Sequence, residues 1–204
     1  MILAHRLLKR SLDLAIALAL VVPLFPVMLV IAAWIKLDSD GPVLFAQDRI
    51  GLGGKAFRMY KFRTMVKDAE RTGTGLFSYD DDPRVTRFGR YLRFTSLDEL
   101  PQIFNVFRGN MSIVGPRPPV TYELGDPASF SEDLKRGFTV KPGITGLAQV
   151  SGRNELDWPE KIKYTNEYVR LYGRYGIGID VVILLKTVAA VVTMKNVVEP
   201  RTHG

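Results

Sequence analysis

The sequence predicts a mostly α-helical protein with a few short β elements, in which an N-terminal membrane helix joins a small domain directly. Three observations support this fold class. A long apolar run lies near the N-terminus, several later segments have helical spacing of apolar residues, and turn-rich stretches bound two short strand-like segments. We expect residues 1–36 to form the membrane element and residues 37–204 the domain, as one structural unit.

The composition restricts the chemistry. The chain has 204 residues and a net charge of +7, from 28 Lys and Arg against 21 Asp and Glu, which favours an anionic partner such as phosphate or acidic lipid. It contains no cysteine, and its two histidines, His5 and His203, lie near the chain ends. This argues against thiolate sites, catalytic triads and multi-histidine metal sites, so nucleophilic and metal chemistry must depend mainly on carboxylates.

The apolar run covers residues 14–35 and contains no charged side chain. About 20 such residues suffice to cross the hydrocarbon core of a bilayer. Pro23 and Pro26 lie near its middle, and because each removes a backbone donor they predict a break in the helix there. The segments on both sides are basic, which places both on the cytoplasmic face. A re-entrant helix and a kinked spanning helix are both compatible with these features, whereas the length of the run argues against a cleaved signal peptide.

The next part of the chain alternates turns with short extended segments. Residues 38–42 and 51–54 are typical of turns, and residues 43–46 and 57–62 are compatible with short strands or with irregular extended segments. Residues 72–83 are rich in Thr, Gly and Asp and predict a loop.

Residues 84–94 combine arginines with aromatic side chains. This pattern is typical of an amphipathic helix, packed on the core or lying in the headgroup layer of a membrane. Because no nucleic-acid-binding motif accompanies it, we expect no nucleic-acid partner. Helical patterns follow at residues 101–107 and 159–172. Residues 181–194 are apolar but too short to span a bilayer, which indicates a core or interfacial helix.

The strongest candidate for chemistry is the segment SLDELPQ at residues 96–102. Pro101 belongs in the first turn of a helix, so the helix should begin near Asp98. A carboxylate at that position is kept ionised by the helix dipole and can bind Mg²⁺ or attack phosphorus. Ser96 and Glu99 also match a capping box, an alternative that requires no function.

Three other segments supply cations or backbone donors. Residues 115–119 (GPRPP) hold Arg117 between prolines, residues 61–64 (KFRT) place Lys61 and Arg63 on one face if extended, and residues 141–146 (KPGITG) form a turn-rich loop. Together with the carboxylates they provide the groups that phosphoryl transfer requires.

These motifs, in this order, resemble the bacterial sugar transferase family of monotopic phosphoglycosyl transferases. The resemblance rests on residues 61–65, 96–102, 109–118 and 141–150 and extends over about residues 9–194. It implies a re-entrant helix and a catalytic domain on the cytoplasmic face of the bacterial inner membrane. Pro26 matches the proline of the family's helix break, but Phe25 stands where a serine is expected.

By this resemblance, Asp98 is the nucleophile that takes the sugar phosphate from a UDP-sugar, releases UMP and passes the sugar phosphate to polyprenyl phosphate. Mg²⁺ would be held by Asp98 and Glu99. The residues expected to contact phosphate or nucleotide sugar are Lys61, Arg63, Arg93, Arg117, Thr145, Gln149 and Arg153. The product would start the assembly of an exopolysaccharide, an O-antigen or a glycoprotein glycan.

Two other classes of function remain as alternatives. A glycosyl transferase acting on a lipid acceptor would release UDP, and a non-catalytic membrane scaffold would not need Asp98. The sequence does not specify the sugar or the prenyl chain length, and it leaves a homodimer open.

Overall fold

The computed structural model describes residues 2–69, 82–125, 129–152 and 156–193. Most of the predicted loop at 72–83 therefore lies outside the described residues. The helices are α1 (Ile2–Asp38), α2 (Arg87–Thr95), α3 (Gln102–Phe107), α4 (Glu132–Gly137), α5 (Leu147–Ser151), α6 (Trp158–Tyr175) and α7 (Ile177–Thr193). The strands are β1 (Leu44–Ile50), β2 (Ala56–Phe62), β3 (Ser112–Val114) and β4 (Gly143–Thr145). The prediction of a mostly helical protein with short strands is confirmed.

Helix α1 runs without interruption through Pro23 and Pro26. With 37 residues it is roughly 55 Å long. The two prolines therefore do not interrupt the helix as predicted, because each removes only one of its many backbone hydrogen bonds. Within the described part of the chain, this is the one helix that is long and apolar enough to cross a membrane.

Helix α1 packs against the rest of the protein at two places along its length. Ala17 is fully buried in a cluster with Val106, Met111 and Ile183. Farther along, Ile35 belongs to a second cluster, whose other buried members are Met28, Ile31, Phe62 and Leu92. The remaining apolar side chains of the helix include exposed residues such as Val22, Leu29 and Trp34.

Strands β1 and β2 form an antiparallel hairpin whose register runs from Leu44 opposite Phe62 to Ile50 opposite Ala56. A 3₁₀ turn at Leu52–Gly54 joins them. The Asn105 side chain attaches α3 to β2, since Oδ1 accepts from the Tyr60 N–H at 3.0 Å and Nδ2 donates to the Arg58 carbonyl at 2.6 Å. Both predicted strands are confirmed, and β1 extends beyond its predicted end.

Strands β3 and β4 are short and parallel, and two of the sequence motifs continue from them. The Gly115 N–H donates to the Thr145 carbonyl and the Gly143 N–H donates to the Pro116 carbonyl, each at 2.9 Å. A Cβ at Gly115 would lie 2.3 Å from the Lys141 carbonyl oxygen. Only glycine permits this approach, which fixes the backbone just before Arg117.

Helices α6 and α7 complete the domain. A capping box between Asp157 and Glu160 starts α6, and α7 begins four residues before its predicted start. Helix α7 buries Ile183 fully, whereas Leu185, Val188 and Val192 are exposed. It is therefore a helix with a core side and an open apolar side.

Candidate active site

Asp98 and Glu99 lie in a 3₁₀ turn, Leu97–Glu99, that connects α2 to α3. Ser96 precedes the turn with a left-handed backbone, at φ 59°, and its side chain makes no capping hydrogen bond to it. The capping-box interpretation is thus wrong, because Glu99 is bound to Lys61 instead. The regular helix also begins later than predicted, at Gln102.

Two cations converge on this carboxylate pair. Lys61, near the end of β2, has its Nζ 2.8 Å from Glu99 Oε1 and 3.8 Å from Asp98 Oδ2. Arg117 Nη1 lies 3.5 Å from the same oxygen of Glu99. The exposed fraction of the Lys61, Asp98 and Glu99 side chains is only 13–17%, so these charges interact in a poorly solvated site.

Burial is the largest influence on Asp98 and raises the pKa of its carboxyl above the usual value. The neighbouring Lys61 opposes this shift, Glu99 adds to it, and the charges of Arg93 and Arg117 also lower the pKa. A poorly hydrated carboxylate surrounded by cations is suited to attack an electrophile that brings its own negative charge, because the cations can bind the phosphate oxygens.

Arg93, in the last turn of α2, reaches the same site. The helix lies close to the end of β2, because a Cβ at Gly89 would be 2.1 Å from the Thr64 carbonyl oxygen. Arg93 Nη1 is buried and has no hydrogen-bond partner among the residues that the structure describes. A buried guanidinium donor of this kind is suited to an oxyanion.

Two of the predicted phosphate or sugar contacts do not join this cluster. Arg63 is buried and donates to the carbonyls of Ile35, Ser39 and Asp40, so it closes the C-terminal end of α1. The Thr145 hydroxyl is also buried and lies 2.8 Å from Thr187 Oγ1 of α7. In both cases the side chain is already hydrogen-bonded to a residue that is distant in the sequence. Arg153 lies outside the described residues.

Gln149 lines a cavity beside the cluster. The cavity is lined by residues of α4 and α6 and by Pro118 and Pro119, and it has a volume of about 90 Å³. Arg117 is on its wall, so this residue connects the cavity with Glu99.

The donor set fits Mg²⁺. This ion commonly binds through one or two carboxylates together with substrate phosphates and water. Asp98 and Glu99 are adjacent carboxylates facing a common cation, Lys61. In the described ranges no group of three or more His, Cys, Asp or Glu side chains converges, so substrate oxygens would have to complete the coordination.

A buried polar network, which the sequence patterns do not predict, lies between α1, α6, α7 and β3. Lys9 Nζ lies 2.7 Å from Asp180 Oδ2, and the Tyr168 hydroxyl donates to Asp180 Oδ1 at 2.9 Å. Asp13 accepts from Ser112 Oγ and from the Ile113 N–H. The network ties α1, α6 and α7 to β3, directly before Gly115. Its signal in the sequence was Lys9 and Asp13 at i, i+4 and a lone Asp180 beginning an apolar helix.

The chain resembles known proteins over most of its length. The profile of the bacterial sugar transferase family matches residues 4–194. The chain is 42% identical over 189 residues to UDP-glucose:undecaprenyl-phosphate glucose-1-phosphate transferase of Escherichia coli K12, covering 90% of this chain and 40% of the relative. It is 38% identical over 203 residues to undecaprenyl-phosphate galactose phosphotransferase of Salmonella typhimurium LT2, covering 92% and 41%.

A relative of more similar length is the exopolysaccharide production protein ExoY of Sinorhizobium fredii. It is 39% identical over 197 residues, which cover 90% of this chain and 84% of that protein. In the other two relatives the matched region is only about two fifths of the whole length. Since the family profile extends over nearly all of the sequence, the chain belongs to the bacterial sugar transferase family.

Proposed function

We propose that this chain is an enzyme that transfers a sugar 1-phosphate from a UDP-sugar to polyprenyl phosphate, of the undecaprenyl type, and releases UMP. The observation that carries the proposal is the buried Asp98 carboxylate, next to Glu99 and within the field of Lys61, Arg93 and Arg117. The names of two relatives support the substrate classes, because both specify undecaprenyl phosphate and that of the Escherichia coli protein also specifies UDP-glucose.

In the first step a carboxylate oxygen of Asp98 attacks the sugar-proximal phosphorus. The bond from that phosphorus to the bridging oxygen breaks, and its electron pair leaves on UMP. In the second step a phosphate oxygen of the polyprenyl phosphate attacks the same phosphorus and releases the Asp98 carboxylate. A covalent phosphosugar-aspartyl intermediate thus divides one reaction between a soluble and a lipid substrate into two simpler displacements.

The cations have separate parts in this scheme. Lys61 and Arg117 bind the diphosphate oxygens in place of their present contact with Glu99, and Arg93 offers its buried Nη1 to a further oxygen. Asp98 and Glu99 would hold Mg²⁺, which when bound offsets the charge of the diphosphate and of the leaving UMP.

The packing of α1 supports a monotopic position at the inner membrane, with the domain on the cytoplasmic face. Asp13 is bonded to β3, and Ile35 packs against Phe62 and Leu92 of the same domain. The distance between residues 13 and 35 along a helix is roughly 33 Å, enough for the whole hydrocarbon core. An upright spanning helix would draw the domain into the lipid, so we propose that α1, although continuous, bends at Pro23 and Pro26 in the membrane and enters and leaves by one face.

Cysteine labelling tests this position, because the chain contains no cysteine of its own. Ser11→Cys and Asp40→Cys place thiols at exposed positions on either side of the apolar run. In intact spheroplasts both should resist a membrane-impermeant maleimide and react only after permeabilisation. Labelling of one of them in intact cells would indicate a spanning helix.

The reaction is tested with Asp98→Asn in detergent or nanodiscs, with Mg²⁺, undecaprenyl phosphate and a panel of UDP-sugars, by measuring UMP. We expect a loss of turnover on the order of 10⁴-fold or more, because the nucleophile is removed. Asp48→Asn is a matched control at an exposed carboxylate. Full turnover by Asp98→Asn, or UDP as the product, would contradict the proposal and favour a scaffold or a glycosyl transferase.

The intermediate has its own measurement. Without a lipid acceptor, wild-type protein mixed with the UDP-sugar should gain the mass of one sugar phosphate, and Asp98→Asn should not. The same panel identifies the sugar, for which the names of two relatives specify glucose and galactose. The transfer would be the first membrane step in the assembly of a bacterial exopolysaccharide, O-antigen or glycoprotein glycan.

A further inference from the structure

The cavity beside the carboxylate pair has walls of two kinds. Aromatic and apolar side chains from α6 and the segment after α4 form one part, and charged or amide side chains form the other. The residues used below are Arg117, Phe138, Gln149, Trp158 and Lys161. Its volume of about 90 Å³ is several times the ~15 Å³ that one water molecule requires, so the cavity has room for a group larger than water.

Arg117 belongs to both the cavity and the carboxylate cluster. Its Nη1 lies 3.5 Å from Glu99 Oε1, and its side chain also forms part of the cavity wall. A bound diphosphate can therefore place one phosphorus next to Asp98 and its other phosphate toward the cavity, with both within reach of the Arg117 guanidinium.

Lys161 brings a second positive charge to the same space. Its Nζ lies 5.4 Å from the centroid of the Trp158 ring, and within the described ranges it forms no ion pair. The nearby acids have other partners, since Glu123 accepts from Trp158 Nε1 at 3.2 Å and Asp133 pairs with Arg136. Burial, followed by the charge of Arg117, lowers the pKa of Lys161. An anion that binds in the cavity would offset the electrostatic repulsion between Lys161 and Arg117.

Gln149 adds an amide without a partner. Its Oε1 and Nε2 are both buried and make no hydrogen bond to any residue in the described part of the chain. An amide offers one donor and one acceptor side by side, which complements the edge of a pyrimidine base. A buried amide left without a partner costs stability, so its presence is explained if a ligand completes it.

We propose that this cavity binds the nucleoside monophosphate half of the donor, with Lys161 and Arg117 on its phosphate and Gln149 on its base. This inference rests on the proposed function, in which that half leaves as UMP. It adds Lys161 and Trp158 to the site and separates the nucleotide from the sugar, which must lie on the other side of Asp98.

The test compares Lys161→Gln with Lys163→Gln, measuring UMP and uridine binding to the full chain in detergent by ligand-observed NMR. Lys163 is two residues away on the same helix, exposed, and faces a different depression. We expect Lys161→Gln to weaken UMP binding roughly tenfold or more and to leave uridine binding unchanged, because only the phosphate contact is lost. Lys163→Gln should leave both unchanged.

Gln149→Leu tests the position of the base. It should weaken UMP and uridine by a similar factor, roughly fivefold to tenfold, without lowering the thermal stability of the unliganded protein, because an unpaired buried amide is replaced by an apolar side chain of similar size. Asn166→Leu is the control, since its Oδ1 is also buried without a partner in the described residues, away from Arg117.

The outcomes separate this inference from the function on which it depends. If Lys161→Gln still binds UMP as the wild type does while the enzyme releases UMP, the cavity is not the nucleotide site and the proposed reaction stands. Equal losses of UMP and uridine in Lys161→Gln would also overturn the phosphate assignment. If the wild type neither binds nor releases UMP, the proposed function itself fails.

Discussion

The Asp180→Ala substitution offers a quantitative test of how α1 is attached to the domain. The Asp180 side chain is only 2% exposed, and it accepts from Lys9 at 2.7 Å and from the Tyr168 hydroxyl at 2.9 Å. Removing one member of a buried ion pair usually costs roughly 3–5 kcal/mol, because the remaining charge is left without compensation.

Three contacts reduce this cost. Lys9 Nζ keeps the Val114 carbonyl at 3.1 Å and has Asp13 Oδ1 at 3.8 Å, and the Tyr168 hydroxyl keeps the Val114 carbonyl at 3.3 Å. We therefore expect Asp180→Ala to lower the free energy of unfolding by about 2–4 kcal/mol. For a chain of this size that corresponds to a fall in Tm of roughly 5–15 °C.

The assay is thermal unfolding in detergent, followed by the fluorescence of Trp34 and Trp158. Glu167→Ala is the surface control: it removes an exposed pair with Arg170, which solvent screens, so the Tm should stay close to that of the wild type. The double variant Lys9→Met, Asp180→Leu should recover part of the loss, because the closest ion pair is removed as a unit while Asp13 keeps its hydrogen bonds from Ser112 and Ile113. If Asp180→Ala is no more damaging than Glu167→Ala, or the double variant gives no recovery, the network does not hold α1 in the way described.

Three further predictions concern the site and its support. Lys61→Met removes the cation 3.8 Å from Asp98, so the pKa of Asp98 should rise further. The acid limb of the kcat/KM profile, along which activity decreases as the pH is lowered, should therefore move to higher pH. An unmoved limb would exclude the ionisation of Asp98 as its cause. Gly115→Ala places a Cβ 2.3 Å from a backbone carbonyl and should lower both Tm and turnover, whereas Gly173→Ala, with open space around it, should lower neither. Arg63→Met should lower the unfolding free energy by about 2–3 kcal/mol and leave the donor KM unchanged; a raised KM would restore its predicted phosphate contact.

Local patterns explain which parts of the fold could be predicted. The apolar run, the turn at residues 51–54 and the two strand segments depend on neighbours along the chain, and all appear in the structure. The boundaries were less accurate, because helix ends depend on capping contacts. Ser96 matched a capping box in sequence, yet its left-handed backbone and the pairing of Glu99 with Lys61 override that pattern.

The sequence by itself determined the acidic pair, the basic motifs and the long apolar helix, because each is a property of consecutive residues. Only the tertiary structure decided which cations meet Asp98: it brings in Lys61 and Arg117 and assigns Arg63 to the end of α1. It also formed the Lys9–Asp180 pair, whose members are 171 positions apart. Such contacts leave no periodic signal in the sequence, since a charge acts through space and its partner is chosen by packing.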